Sequence, residues 1–258
     1  MEIKKLNETK EKLVILIKDT DHEFINTLRR IILTDVPTLA IKSVSIKKNN
    51  SNLFDEIIAH RLGLIPLVTD LKTYELPEKC SCKGSGCAKC QLGFYIKTIG
   101  PKMVYAEDIV IQDPAIKPVQ LKTPIVKLID NQELELEGII TLGNGKEHSK
   151  YTPAHIYYKG LPKIKIENPK NIKIIEESCP TNVFQIEDKK LRVKNLYDCI
   201  ICQKCAELSE NKISVFASEK EFIFTIESWG QLKPKEILKE AINIINEKLL
   251  ELDNLIKK

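Results

Sequence analysis

No stretch of about 18 consecutive apolar residues occurs in the sequence, so nothing in it reads as a membrane-spanning helix. A charge excess is also missing. Forty Lys and Arg against 36 Asp and Glu leave +4, too balanced to call for nucleic acid as a direct partner. The opening residues 1–12 hold no apolar, signal-like run, which gives the expectation of a cytoplasmic protein without membrane contact. No nucleophile and base stand out as a set. Glu56 and His60 lie four residues apart on a predicted helix, where an exposed ion pair is a simpler reading than acid–base chemistry. Gly143-Asn144-Gly145-Lys146 lacks the four-residue gap and the hydroxyl residue after lysine that a phosphate loop needs, and Asn-Gly after an alternating strand signals a hairpin instead. The expectation is a chain with no catalytic residue of its own.

What is present is a globular composition, 43% hydrophobic and 29% charged over 258 residues, enough for one large or two to three small domains. Leu13–Ile17 is a short apolar run suited to a buried strand. It leads into a helix on which Phe24, Ile25, Leu28, Ile31 and Ile32 recur at helical spacing, with Thr20 or Asp21 as cap and Pro37 beyond the end. Arg29 and Arg30 on that helix point about 100° apart, so at most one lies near the buried edge. Ala40–Ile46 alternates as a half-exposed strand, and residues 47–52 mark a loop. Asp55–Gly63 reads as a helix, and the stretch to Thr152 as mostly strands. Strand patterns return at Pro153–Lys159 and Pro162–Ile166. Ile213–Phe216 and Glu221–Glu227 read as a hairpin. From Pro234 an apolar stripe of Ile237, Leu238, Ala241, Ile242, Ile245, Leu249, Leu252 and Ile256 follows helical spacing for about 24 residues, roughly 36 Å. That is longer than a small domain needs to cover itself, so core packing and docking against a second chain are both open to it.

The eight cysteines fall into two quartets, a pattern that in a reducing compartment favours metal ligands over disulfides. In Cys80-x-Cys82-x4-Cys87-x2-Cys90, Gly84 and Gly86 let the backbone fold back so that four thiolates converge. Tetrahedral zinc suits this set; a metal-free or disulfide-bonded loop is the alternative, because the Cys80-x-Cys82 gap is tight. In the second quartet Cys199, Cys202 and Cys205 stand at successive two-residue gaps and can wrap three corners of a cubane, while the remote Cys179-Pro180 supplies the fourth. The segment resembles the second half of a two-cluster ferredoxin. Ser209-Glu210 stands where the next Cys-Pro would be, so one iron–sulfur cluster fits, of four irons or of three, with a four-cysteine zinc site as the rival. Such a cluster can stabilise its segment by several kcal/mol without transferring electrons.

Asn26-Thr27-Leu28-Arg29-Arg30-Ile31-Ile32-Leu33 followed by Val36-Pro37 resembles the N-x-L-R-R helix of the RNA polymerase assembly subunits, a family that includes bacterial alpha, its archaeal counterparts and the third-largest subunit of eukaryotic polymerase II. Asp55–Pro66 is similar to a segment of the archaeal and eukaryotic branch; Leu142–Lys150 and Glu227–Ala241 are similar to further family strings, the last to its dimerisation helix. The resemblance implies an α+β fold: a discontinuous alpha-type dimerisation domain of residues 1–43, 153–166 and 213–258. It would be interrupted by a mostly-β domain, 44–152, carrying the Cys80–Cys90 loop, and by a ferredoxin-like domain, 167–212. It further implies a non-catalytic archaeal assembly subunit that pairs with subunit L, recruits subunits N and P and the large subunits B and A, and meets DNA only through the assembled polymerase. Eukaryotic relatives carry a zinc loop at the place of the first quartet. By the same resemblance Arg29 and Arg30 lie toward a large subunit and Ile237, Leu238, Ala241, Ile242, Ile245 and Leu249 toward the smaller partner. A one-cluster electron carrier in an oxidoreductase complex is the alternative; it leaves the Arg29-Arg30 helix, the first quartet and the terminal helix without a task.

Overall fold

A computed structural model describes residues 1–257. Its elements, in chain order, are β1 (Glu2–Glu8), β2 (Lys12–Lys18), α1 (His22–Thr34), β3 (Thr38–Asn49), α2 (Asp55–Gly63), β4 (Leu92–Ile99), β5 (Lys102–Tyr105), β6 (Val110–Ile111), β7 (Pro124–Leu128) and β8 (Glu133–Gly143). They continue with β9 (Ala154–Ile166), α3 (Ile172–Ser178), β10 (Phe184–Glu187), β11 (Lys190–Val193), α4 (Lys204–Leu208), β12 (Ile213–Ser228) and α5 (Pro234–Ile256). The fold is a mixture of helices and sheets. Two four-stranded sheets, β1-β2-β12-β9 and β3-β8-β4-β6, are accompanied by the pairs β5-β7 and β10-β11. No described helix is long and apolar enough to cross a membrane.

By contacts the chain divides into two compact units. One holds residues 1–8, 14–27 and 157–225; the other holds 9–13, 28–156 and, among the described residues, 226–257.

In the larger unit β3 and β8 run antiparallel with Leu39 opposite Leu142 and Ile41 opposite Ile140, and β4 sets Leu92 opposite Ile140 and Ile96 opposite Leu136. These residues share one core with Ile58 and Leu62 of α2 and Ile125, Val126 and Leu128 of β7. Their period-two and helical spacings are what put them on inward faces. The Arg61 guanidinium of α2 donates to the Ile125 carbonyl at 2.6 Å, tying helix to strand. Strand β3 is continuous through position 43. Glu56 and His60 are both exposed, and the expected ion pair between them is not formed among the described residues, because water solvates the two side chains equally well.

In the smaller unit a second core gathers Ile175, Val183, Phe184, Leu191, Cys199, Ile213 and Val215. The β10-β11 pair sets Phe184 opposite Val193 and turns at Asp188 and Lys189, both at positive φ as a two-residue hairpin requires.

Three further expectations are corrected. Asn144-Gly145 does not close a hairpin, since β8 pairs with β3 and β4 rather than with the strand that follows it. The turn instead lies on the end of α1. The Lys146 amide donates to the Thr34 carbonyl, and a Cβ on Gly145 would sit 1.9 Å from the Leu33 oxygen, so only glycine fits. Ile213–Phe216 and Glu221–Glu227 are one strand, β12. The intervening Ala217-Ser218-Glu219-Lys220 contains no residue suited to the positive φ a tight turn demands. Likewise β9 runs straight through Pro162, which the sheet tolerates because β9 is its edge strand.

Candidate metal centres and docking faces

The first quartet sits on a loop of tight turns between α2 and β4. Lys83, Gly84 and Gly86 take positive φ of 53°, 82° and 90°, and the chain doubles back through amide bonds from Lys83 to the Cys80 carbonyl, from Ser85 to Cys82, and from Cys90 to Cys87. The result brings all four sulfurs within 4.8 Å of one another. Individual separations are 3.5 Å for Cys80–Cys87, 3.4 Å for Cys82–Cys90 and 3.8 Å for Cys87–Cys90. Four thiolates about 2.3 Å from one ion stand about 3.8 Å apart at the edges of a tetrahedron, so the set fits a single tetrahedral metal. None of the cysteines is in a disulfide. Their protonation is uneven: a hydrogen bond from Cys90 holds the Cys82 thiol down to about 6, while burial pushes Cys90 up to about 12. A cation bound among them would convert both to thiolates.

The second quartet lies in the smaller unit. Cys179 follows the last turn of α3, and Cys199 follows a short 3-10 turn at Leu196–Asp198. Ile201 and Gln203, the residues flanking Cys202, adopt positive φ of 58° and 64°, conformations that side-chain-bearing residues enter only when their surroundings demand it. Alternating with the cysteines, they curl the loop about its own interior. All four cysteines line one small cavity together with Val183, Phe184 and Val215. The Val183 amide points at the Cys179 sulfur at 3.4 Å and the Ile201 amide at the Cys199 sulfur at 3.5 Å, the donors that a sulfur-rich cluster uses. Unlike the first quartet, these sulfurs do not converge on a single point; a multi-iron cluster spaces its cysteines more widely than one ion does. Donor set and amide pattern both fit such a group. Strand β9 contributes a residue that spacing alone does not reveal. The Lys159 ammonium, half-buried and lowered in pKa by that burial, donates to the Tyr197 carbonyl at 2.7 Å and the Cys199 carbonyl at 2.9 Å.

Two surfaces remain. On α1, capped by Asp21 accepting from the Phe24 amide, Ile25, Leu28 and Ile32 are buried, Arg29 is half-buried and Arg30 is exposed, as their angular step requires. On α5, Pro234 opens the helix and Glu236 accepts from the Lys233 amide. Ile237 and Ala241 are wholly buried in the chain's own core, Leu238 and Ile245 are half-buried, and Ile242 and Leu249 are exposed. Beyond them Leu250, Leu252, Leu255 and Ile256 are exposed as well, the last to 76%. Lys248 bonds Asp35 at 2.9 Å, holding this helix to the end of α1.

Over residues 14–249 the sequence matches the RNA polymerase Rpb3/Rpb11 dimerisation domain. The chain belongs to that family. It is 45% identical to "DNA-directed RNA polymerase subunit Rpo3" of Methanosphaera stadtmanae, over 95% of this chain and 94% of the relative. To the protein of the same name from Archaeoglobus fulgidus it is 36% identical, over 99% and 98%. Similarity extends to "DNA-directed RNA polymerase II subunit rpb3" of Dictyostelium discoideum, at 32% over 97% and 93%. The family match takes in both quartets, the arginine pair of α1 and α5 as far as Leu249.

Proposed function

We propose that this chain is a non-catalytic assembly subunit of an archaeal DNA-dependent RNA polymerase, pairing with subunit L and then carrying subunits N and P and the large subunits B and A. The observation that supports this most is the second half of α5. In a member of a dimerisation-domain family it presents Ile242, Leu249, Leu252, Leu255 and Ile256 to solvent, while Ile237 and Ala241 lock its first turns into the core. Leaving such a row in water is unfavourable by about 25 cal/mol per Å² of apolar surface, which a partner helix recovers. Arg29 and Arg30 serve a large-subunit contact in this reading.

The domain reading that goes with it places residues 1–43, 153–166 and 213–258 in the dimerisation domain, and β1, β2, β9 and β12 lie in those segments. Cys179, Cys199, Cys202 and Cys205 would hold one iron–sulfur cluster in the 167–212 segment, and Cys80, Cys82, Cys87 and Cys90 one zinc ion. The cluster supplies a covalent staple and a one-electron couple; the residues around it supply the fold.

Co-expression with the subunit L of a close relative tests the assembly role. The wild-type chain is expected to elute as a one-to-one heterodimer. Leu249→Glu with Leu252→Glu should weaken pairing at least a hundredfold, about 2.7 kcal/mol, with helix content unchanged. A wild-type chain that forms no complex would remove the proposal.

A further inference from the structure

The loop that carries Cys199 is held from outside the cysteine segment. It consists of a short 3-10 turn followed by two left-handed non-glycine residues, Ile201 and Gln203, a backbone that persists only where neighbours over-determine it. Gln203 is fixed by its side-chain amide donating to the Val215 carbonyl at 2.8 Å. The other end is fixed by Lys159 of β9, whose ammonium bridges the carbonyls of Tyr197 and Cys199 across Asp198. Partial burial of this ammonium is costly unless acceptors offset the desolvation of its charge. Here it has two, both on the cluster loop. The charges that act on it most strongly are Cys199 and Asp198, both of which attract it. Lys204, on the far side of Cys202, is directed to Glu207 instead.

We propose that Lys159 is a positioning residue for the iron–sulfur cluster: it sets the path of the main chain through Cys199 and places a fixed positive charge beside the thiolates. The inference rests on the cluster reading given above. Two effects follow from one side chain. The two charge-assisted bonds hold the Cys199 sulfur where a cluster needs it, and outer contacts of this kind change metal affinity by 10–100-fold. The ammonium also favours whichever cluster state is more negative. One-electron reduction adds a negative charge to a site already ringed by four thiolates, so Lys159 should raise the midpoint potential.

The test compares the full-length wild type with Lys159→Met and Lys159→Arg, prepared without oxygen. Iron and sulfide per chain, the rate of cluster loss to an iron chelator and the midpoint potential from a spectroscopic titration are read for each. The methionine variant is expected to lose its cluster about tenfold faster. Its reduced-to-oxidised ratio should be about tenfold lower at a given potential, a downward shift of about 59 mV for one electron. Arginine, which keeps charge and donors, should stay within about twofold of wild type. A methionine variant equal to a loaded wild type in both loss rate and potential overturns the inference alone, as does an arginine variant no better than methionine. A wild type that carries no sulfide overturns the cluster reading beneath it.

Discussion

Around the first quartet the four sulfurs come from one short loop, Cys80 to Cys90, in which turns and left-handed glycines do the gathering; Cys80 and Cys90 are buried but are not members of the unit's large apolar cluster. Around the second they come from Cys179 to Cys205, two pieces of chain separated by the β10-β11 hairpin, and Cys199 is itself a core residue packed with Ile175, Val183, Phe184 and Leu191. In one case the ligands, with Cys80 and Cys90 buried among them, stand outside the unit's large apolar cluster; in the other Cys199 is a member of the cluster, Cys179 and Cys205 pack against it and Cys202 is exposed. Metal binding and folding should therefore be separable at the first site and inseparable at the second.

The largest effect tests that difference directly. If the second quartet holds the proposed cluster, Cys199→Ser should abolish iron and sulfide binding and destabilise the smaller unit by several kcal/mol, read as lost hydrogen-exchange protection across residues 172–215. Cys90→Ser should abolish metal binding at the first quartet, where the proposed zinc would sit, while β3, β8 and β4 keep wild-type protection. Global unfolding from both variants would erase the distinction.

A smaller effect concerns what ties the start of the first loop to the core of its unit, of which Tyr74 is a member. Tyr74, just before that loop, donates its hydroxyl to Asp113 at 2.5 Å, and burial together with this bond pushes the phenol from 10 up to about 12. A folded-state value above the unfolded one means stabilisation that is intact below pH 10 and lost as pH rises through 12, about 2–3 kcal/mol for a shift of this size. Tyr74→Phe should flatten the decline in stability between pH 10 and 12 in denaturant titrations. An unchanged decline would assign it to other groups.

The smallest effect is Gly86→Ala. Its φ of 90° costs an L-residue about 1–2 kcal/mol, whereas the clash its Cβ meets is only with the mobile end of Gln91. Metal affinity at the first quartet should fall about tenfold, 1.4 kcal/mol, with the melting of the second unit unmoved. A fall at both sites would again collapse the comparison.

Much of this was legible in the residues. Both quartets, the capped α1 with its arginine pair and the apolar stripe of α5 announce themselves by local spacing, because ligand sets and amphipathic helices are periodic in sequence. What escaped depends on partners far along the chain. The continuity of β12 through Ala217–Lys220 and of β9 through Pro162 is decided by the strands beside them, and Asn144-Gly145 serves the end of α1 rather than a hairpin. Lys159 looks like any lysine on an alternating strand until its acceptors, nearly forty residues on, are in view. The division of α5 between buried Ile237 and Ala241 and exposed Ile242 and Leu249 likewise needs the surface against which the helix lies.

The sheet β1-β2-β12-β9 ends on one side in β9, an edge strand that contains Pro162 and so has one backbone donor fewer, and on the other in β1, an exposed strand that carries Glu2, Lys4, Lys5 and Glu8. Charged and proline-bearing edges are poor templates for another strand. A molecule with a sticky helix but guarded sheet margins can meet a helical partner without polymerising through its strands. Strand-by-strand stacking is thus a failure these margins work against.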